Sequence, residues 1–243
     1  MPKTSYWVRT RAPRHSLTFV LPLLLLYEGL AFVLSGPDMA GVRNGADVLL
    51  KSLFTALGGR YGLTVFGLAL GGAGAWLVYR DRKANGPIEP RLFTGMMLES
   101  LIYGALLGFV ASTLTGFLLG GAHLAQGGFT RFGFPTQIMI SLGAGIYEEL
   151  VFRVLLVSGI ALICRTVFGW KPGASAVAAT VVGALIFSAF HYIGPYGDRF
   201  ETASFTFRAI AGLLFSALYL SRGFGIAAWT HALYDVMLAL LRG

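Results

Sequence analysis

The chain has 243 residues, of which 56% are hydrophobic and only 12% charged, and its mean hydropathy is +0.70. A soluble domain carries about 25% charged residues, so this composition excludes a soluble or single-span protein and predicts a polytopic membrane protein. The formal net charge of +8 comes from Lys and Arg in short loops between apolar stretches, which is a topology signal and predicts no nucleic-acid partner.

A membrane span needs about 20 apolar residues. Seven spans are predicted in chain order: Ser16–Ser35, Gly62–Tyr79, Phe93–Gly121, Pro135–Ile163, Gly173–Ile193, Ser204–Leu220 and Gly223–Leu241. The basic segment before the first span resembles a signal peptide, but the apolar run is too long for one. It is read as an uncleaved first helix. Gly36 and Pro37 end that helix. Residues 38–60 mix charge with apolar residues at helical spacing, which predicts an amphipathic helix at the membrane surface. The fold class is all-α: a transmembrane helical bundle of about seven spans plus that surface helix. Residues 1–243 form a single integral-membrane domain, and 135–241 form its motif-bearing core. Gly67 and Gly71 make a small-xxx-small pair suited to close helix packing, and the same pattern would serve a homodimer. Cys164 stands alone, which excludes an intrachain disulfide or a cysteine-rich metal site, and it reads as packing. The loop Lys and Arg divide eleven to seven in favour of the N-terminal side. This predicts a cytoplasmic N-terminus in the bacterial inner membrane.

The fourth span carries Glu148, Glu149 and Arg153 between apolar stretches. Each costs about 2.5–3.5 kcal/mol at that depth on insertion scales, so a chain that keeps three together uses them. Glu149 and Arg153 are four apart and can pair on one helical face. Glu148 is rotated by about 100° from Glu149 in an α-helix and is free to meet another helix. The fifth span ends at Phe187-Ser188-Ala189-Phe190-His191, and the seventh holds His231 and Asp235, again four apart. Two histidines and a carboxylate from three helices can converge on one point. A buried carboxylate is a competent base near neutral pH, and a histidine can donate to a developing oxyanion. These are the parts of a hydrolase without a serine or cysteine nucleophile. Two His and a carboxylate are also zinc ligands in kind, with Glu148, His191 and His231 as the set. His191 lies near the outer end of its span. The segment Tyr192–Glu201 is therefore predicted to border a cavity, with Gly194-Pro195-Tyr196-Gly197 folding inward where irregular backbone is tolerated. Glu28 and Glu99 match no pattern and read as facing a cavity or pairing with an Arg. His15 and His123 read as interfacial.

Three motifs in order, Glu148-Glu149-x-x-x-Arg153, Phe187-x-x-x-His191 and His231-x-x-x-Asp235, give the chain its resemblance to the CPBP family of intramembrane proteases. That family includes CAAX prenyl proteases and bacteriocin-processing, Abi-type proteins. The resemblance covers about the last 110 residues. It implies Glu148 as general base assisted by His191, with His231 and Asp235 on the oxyanion side. Glu149 and Arg153 would act as scaffold beside Phe187. Prenyl protease members often carry Asn where this chain has Asp235. An ionised Asp cannot donate to an oxyanion, so Asp235 reads as orienting His231 or as protonated. The resemblance implies a peptide or protein substrate with a membrane-proximal or lipidated segment, in contact with membrane lipid. It leaves zinc open as a cofactor. Two other classes stand beside the protease. Buried Glu, His and Asp also build proton-coupled transporters, although no inverted repeat is visible. A silent scaffold or immunity protein of the same fold is the third.

Overall fold

The computed structural model describes residues 5–34, 42–121, 132–194 and 197–242. The described residues are helical, with no strand among them. A short α1 (Tyr6–Arg11) leads into α2 (Pro13–Leu34). Then come α3 (Gly45–Gly58), α4 (Gly62–Asn85) and α5 (Arg91–Leu118). The predicted fourth span is one continuous rod of three parts: α6 (Phe134–Gly143), a π-helix (Ala144–Val157) and α7 (Ser158–Thr166). Helices α8 (Pro172–Phe190), α9 (Thr202–Arg222) and α10 (Phe224–Arg242) complete the chain.

Six helical stretches are long and apolar enough to cross a membrane: Pro13–Leu34, Gly45–Asn85, Arg91–Leu118, Pro172–Phe190, Thr202–Arg222 and Phe224–Leu241. Seven were predicted; the composite rod overlies the predicted span Pro135–Ile163 but is not among the six. The protein is therefore an integral membrane protein.

Local sequence sets the boundaries. Asn44 caps α3 by accepting from the Ala46 N–H, as short polar side chains do at helix starts. Pro172 opens α8 at a position where its missing N–H costs nothing. Gly223, at φ 81°, ends α9 and starts α10 in a conformation that favours glycine. Ala46, Asp47 and Leu50 are buried on one face of α3, while the apolar Val48, Leu49, Leu53 and Leu57 are exposed. The turn at Gly59–Tyr61 folds α3 onto α4, and Phe54 meets Phe66 at 5.2 Å.

Helix α10 is the centre of the bundle, packed against α2, α5, α6, α9 and the π-helix. Over its most apolar stretch, 56% of residues are buried, against 11% for the Gly45–Asn85 stretch. The small residues Gly225, Ala227, Ala228 and Ala232 let its neighbours close in. By contrast, a Cβ built at Gly67, Gly71, Gly72 or Gly74 would meet nothing within 4 Å. The small-residue pair predicted to pack, Gly67 and Gly71, therefore meets no neighbouring helix closely among the described residues.

One end of the bundle gathers the N-terminal helix and the α4–α5 connection. His15 is fully buried. Its Nδ1 lies 2.8 Å from the Arg9 carbonyl, and its Nε2 accepts from the Glu89 N–H. Arg14 pairs with Asp81, and Arg9 with Glu89. Glu99 takes both nitrogens Nε and Nη2 of Arg222 at 2.7 Å, so the Arg-pairing alternative read for it holds. His123 lies outside the described residues.

Candidate active site

The site is built on the π-helix. Such helices close hydrogen bonds five residues apart and cluster at functional sites. Their wider turn replaces the 100° step expected of an α-helix. Ala144 through Glu149 are all buried, because α2, α3, α8, α9 and α10 all pack against this segment. Both glutamates therefore point into protein, toward different partners.

Glu149 is fully buried. Its Oε1 lies 3.1 Å from Arg153 Nη1 and 2.8 Å from His231 Nδ1. The Arg153 guanidinium stacks over the Phe187 ring at 4.3 Å and the Phe215 ring at 5.2 Å. Glu149 thus links the π-helix to α10 and does more than pair with Arg153. It also holds the His231 ring at Nδ1.

Glu148 divides its two oxygens. Oε1 accepts from the Asn44 side-chain amide at 2.8 Å. Oε2 stands 3.9 Å from His191 Nε2 and 3.9 Å from His231 Nε2. The local sequence shows no partner for Glu148. The partner is Asn44, 104 residues away.

The two imidazoles are fixed in the same sense. His191 caps the end of α8, with Nδ1 2.9 Å from the Phe187 carbonyl. A carbonyl only accepts, so Nδ1 carries hydrogen, and the Nε2 lone pair of the neutral ring faces Glu148. His231 meets a carboxylate at Nδ1, so its Nε2 also turns toward Glu148. Aromatic rings lock both. Phe187 lies edge-on to His191 at 4.9 Å and to His231 at 6.2 Å. Phe215 stacks on His231 at 4.3 Å and 23°. Asp235 Oδ2 lies 3.7 Å from His231 Nε2, on the ring edge that faces Glu148.

The bundle therefore brings together Glu148, Glu149, Arg153, Phe187, His191, His231 and Asp235. Sequence reasoning missed Asn44 and Phe215. The string Asn44-Gly45-Ala46-Asp47 carries a helix-start signal, but no spacing rule joins it to Glu148.

Beyond His191 the chain turns back. Gly194 takes φ 91°, and the Asp198 N–H returns to the His191 carbonyl at 2.9 Å. Arg208 pairs with Asp198 and covers the Tyr192 ring at 5.3 Å. Pro195 and Tyr196 of the predicted fold-back lie outside the described residues. Glu28, on α2, takes the pairing alternative read for it, with Arg43 and Lys51, and accepts from Tyr147. Cys164 is buried.

Two imidazole Nε2 atoms and a carboxylate oxygen fit zinc in kind. Their 3.9 Å separations exceed the ~3.3 Å edge of ligands about 2 Å from a tetrahedral zinc. No group of three donors at metal-holding spacing occurs among the described residues.

Residues 130–237 match the family model "Type II CAAX prenyl endopeptidase Rce1-like". This segment is similar to that family. The match is consistent with the CPBP resemblance, and the Rce1-like segment contains all seven of those motif residues. Asn44 lies outside it. No curated protein and no solved structure matches the chain.

Proposed function

We propose that the chain is an intramembrane endopeptidase that hydrolyses a peptide bond of a membrane-associated substrate with a Glu148-activated water. The observation that carries this reading is the convergence of Glu148 Oε2 with two imidazole Nε2 atoms, Glu148 and His231 being buried and His191 half-buried at the end of α8. The Rce1-like match supports the same reaction class and makes a prenylated CAAX peptide the first substrate to try.

Oε2 stands 3.9 Å from each Nε2, too far to bond either directly, and in this reading the reacting water lies between them. Glu148 takes a proton from that water, and the hydroxide adds to the scissile carbonyl carbon. His191 Nε2 holds the water in line. His231, held at Nδ1 by Glu149 and protonated at Nε2 beside Asp235, donates to the oxyanion. Collapse breaks the C–N bond, and the proton on Glu148 passes to the departing amine. Zinc, if bound by Glu148, His191 and His231, would supply Lewis-acid polarisation at the same place. The bundle end that gathers Arg9, Arg14, Arg91 and Arg222 supports a cytoplasmic N-terminus.

The test uses purified protein in lipid and a fluorescence-quenched, farnesylated peptide ending in a CAAX sequence. Glu148→Gln and His191→Ala are each expected to lower cleavage about 10²–10⁴-fold, the usual share of a general base. Cleavage that survives both at the native rate overturns the site. Loss of cleavage on chelation, restored by zinc, would put the metal in the reaction.

A further inference from the structure

We propose that Asn44 is a positioning residue for the base: it fixes the Glu148 carboxylate so that Oε2 faces the two histidines. This rests on the endopeptidase reading and adds to it a residue from the N-terminal half of the chain.

The argument starts at the cap. Asn44 Oδ1 accepts from the Ala46 N–H at 2.9 Å, so the orientation of its amide is decided by the helix it starts. The nitrogen Nδ2 must then be the end that meets Glu148, and it donates to Oε1 at 2.8 Å. An amide so held can only donate there. The residue is 2% exposed and cannot swing away. Its backbone N–H is taken by the Tyr27 hydroxyl at 3.3 Å, and that hydroxyl donates to the fully buried Asp47 at 2.8 Å. On the other side, Gly143 leaves no slack: a Cβ there would stand 2.8 Å from the Asn44 Cβ. With Oε1 pinned, the carboxylate plane is set, and Oε2 is the oxygen 3.9 Å from both Nε2 atoms. A carboxylate free to rotate would divide its time between productive and unproductive orientations. Misplacement of about 1 Å is enough to cost about 100-fold in rate.

Three variants separate this role from simple capping. Asn44→Ser keeps an oxygen for the Ala46 N–H but loses the amide, whereas Asn44→Ala loses both. Asn44→Asp keeps the cap oxygen and replaces the donor with a second carboxylate. On the farnesylated peptide, all three should lose about 10–100-fold in kcat with KM little changed. Asn44→Ala alone should also lose the cap and show the lowest Tm. If the serine variant keeps the native kcat, or if kcat loss simply follows Tm, Asn44 is only a cap and the proposal falls. Glu148→Gln at native kcat would instead overturn the active-site reading. A substrate-free readout decides the contact itself. In 15N-labelled protein, the Asn44 side-chain amide signals should move on Glu148→Ala and stay in place on Glu89→Gln. Signals unmoved by Glu148→Ala overturn the proposal whether or not the peptide is cleaved.

Discussion

The adjacent glutamates differ in what their removal leaves behind. Glu149 pairs with Arg153, a fully buried guanidinium, and it also holds His231. Removing one partner of a buried pair costs about 3–5 kcal/mol. Glu149→Gln is therefore expected to lower unfolding stability by about that amount, read as a large drop in Tm in detergent. Glu148→Gln keeps an oxygen for Asn44 and should unfold near the native Tm while losing cleavage. Two equally unstable variants would sink this division of labour. The pairing of Glu149 with Arg153 was legible in the sequence, because a four-residue spacing is a local fact. The bond from Glu149 to His231 was not. It depends on which face α10 turns toward the π-helix, and no spacing within either helix encodes that.

The π-helix was also invisible to the sequence, because Ala144–Val157 has the composition of any apolar span. Its location followed from the motif; its wider turn did not. Gly145 shows how closely it is packed. A Cβ there would collide with the Ala228 carbonyl oxygen and would lie 2.7 Å from the Ala232 Cβ. The carbonyl belongs to a backbone that cannot rotate aside. Gly145→Ala is thus expected to destabilise by about 1–3 kcal/mol, the usual cost of overpacking. It should also push α10 away and carry His231 from Glu148. Denaturation of the variant beside its cleavage rate checks this, and native values for both would show that the helices yield easily. The spans themselves were readable from length and hydropathy, and so was the start of the last one at Gly223. The amphipathic α3 was legible as an element. Its reach into the site was not, since that depends on where the turn before it delivers Asn44.

Across the whole molecule, the end near α1 is tied by a second buried pair. Arg222 is 1% exposed; it joins α9 to α5 through Glu99 and to α1 through the Trp7 carbonyl. Glu99→Gln should therefore cost stability on the scale of a broken buried pair, about 3–5 kcal/mol. It should leave kcat per folded molecule unchanged, because Glu99 is absent from every contact of Glu148. A matching fall in kcat would mean that the two ends communicate. The same end carries an acid-sensitive clasp. Arg91 first, and Arg9 with it, hold the exposed Glu89 carboxyl below its usual range, against the upward push of desolvation. A depressed carboxyl contributes its stability above its unfolded value, and that contribution is lost as pH falls through the lowered one. Glu89→Gln should flatten the acid side of a Tm–pH curve, and an unchanged curve would remove the clasp from the account.

The bond from Asn44 to Glu148 also bears on modularity. Residues 130–237 hold every acid, imidazole and guanidinium of the motifs, which makes the segment look like a cassette that could be cut out and grafted. Its Glu148 carboxylate is hydrogen-bonded by a side chain some ninety residues upstream of that boundary. A chimera that grafts only the segment onto foreign N-terminal helices would inherit the reactive groups without the part that directs them. Exchange between relatives would have to move α3 and its cap as one unit with the π-helix.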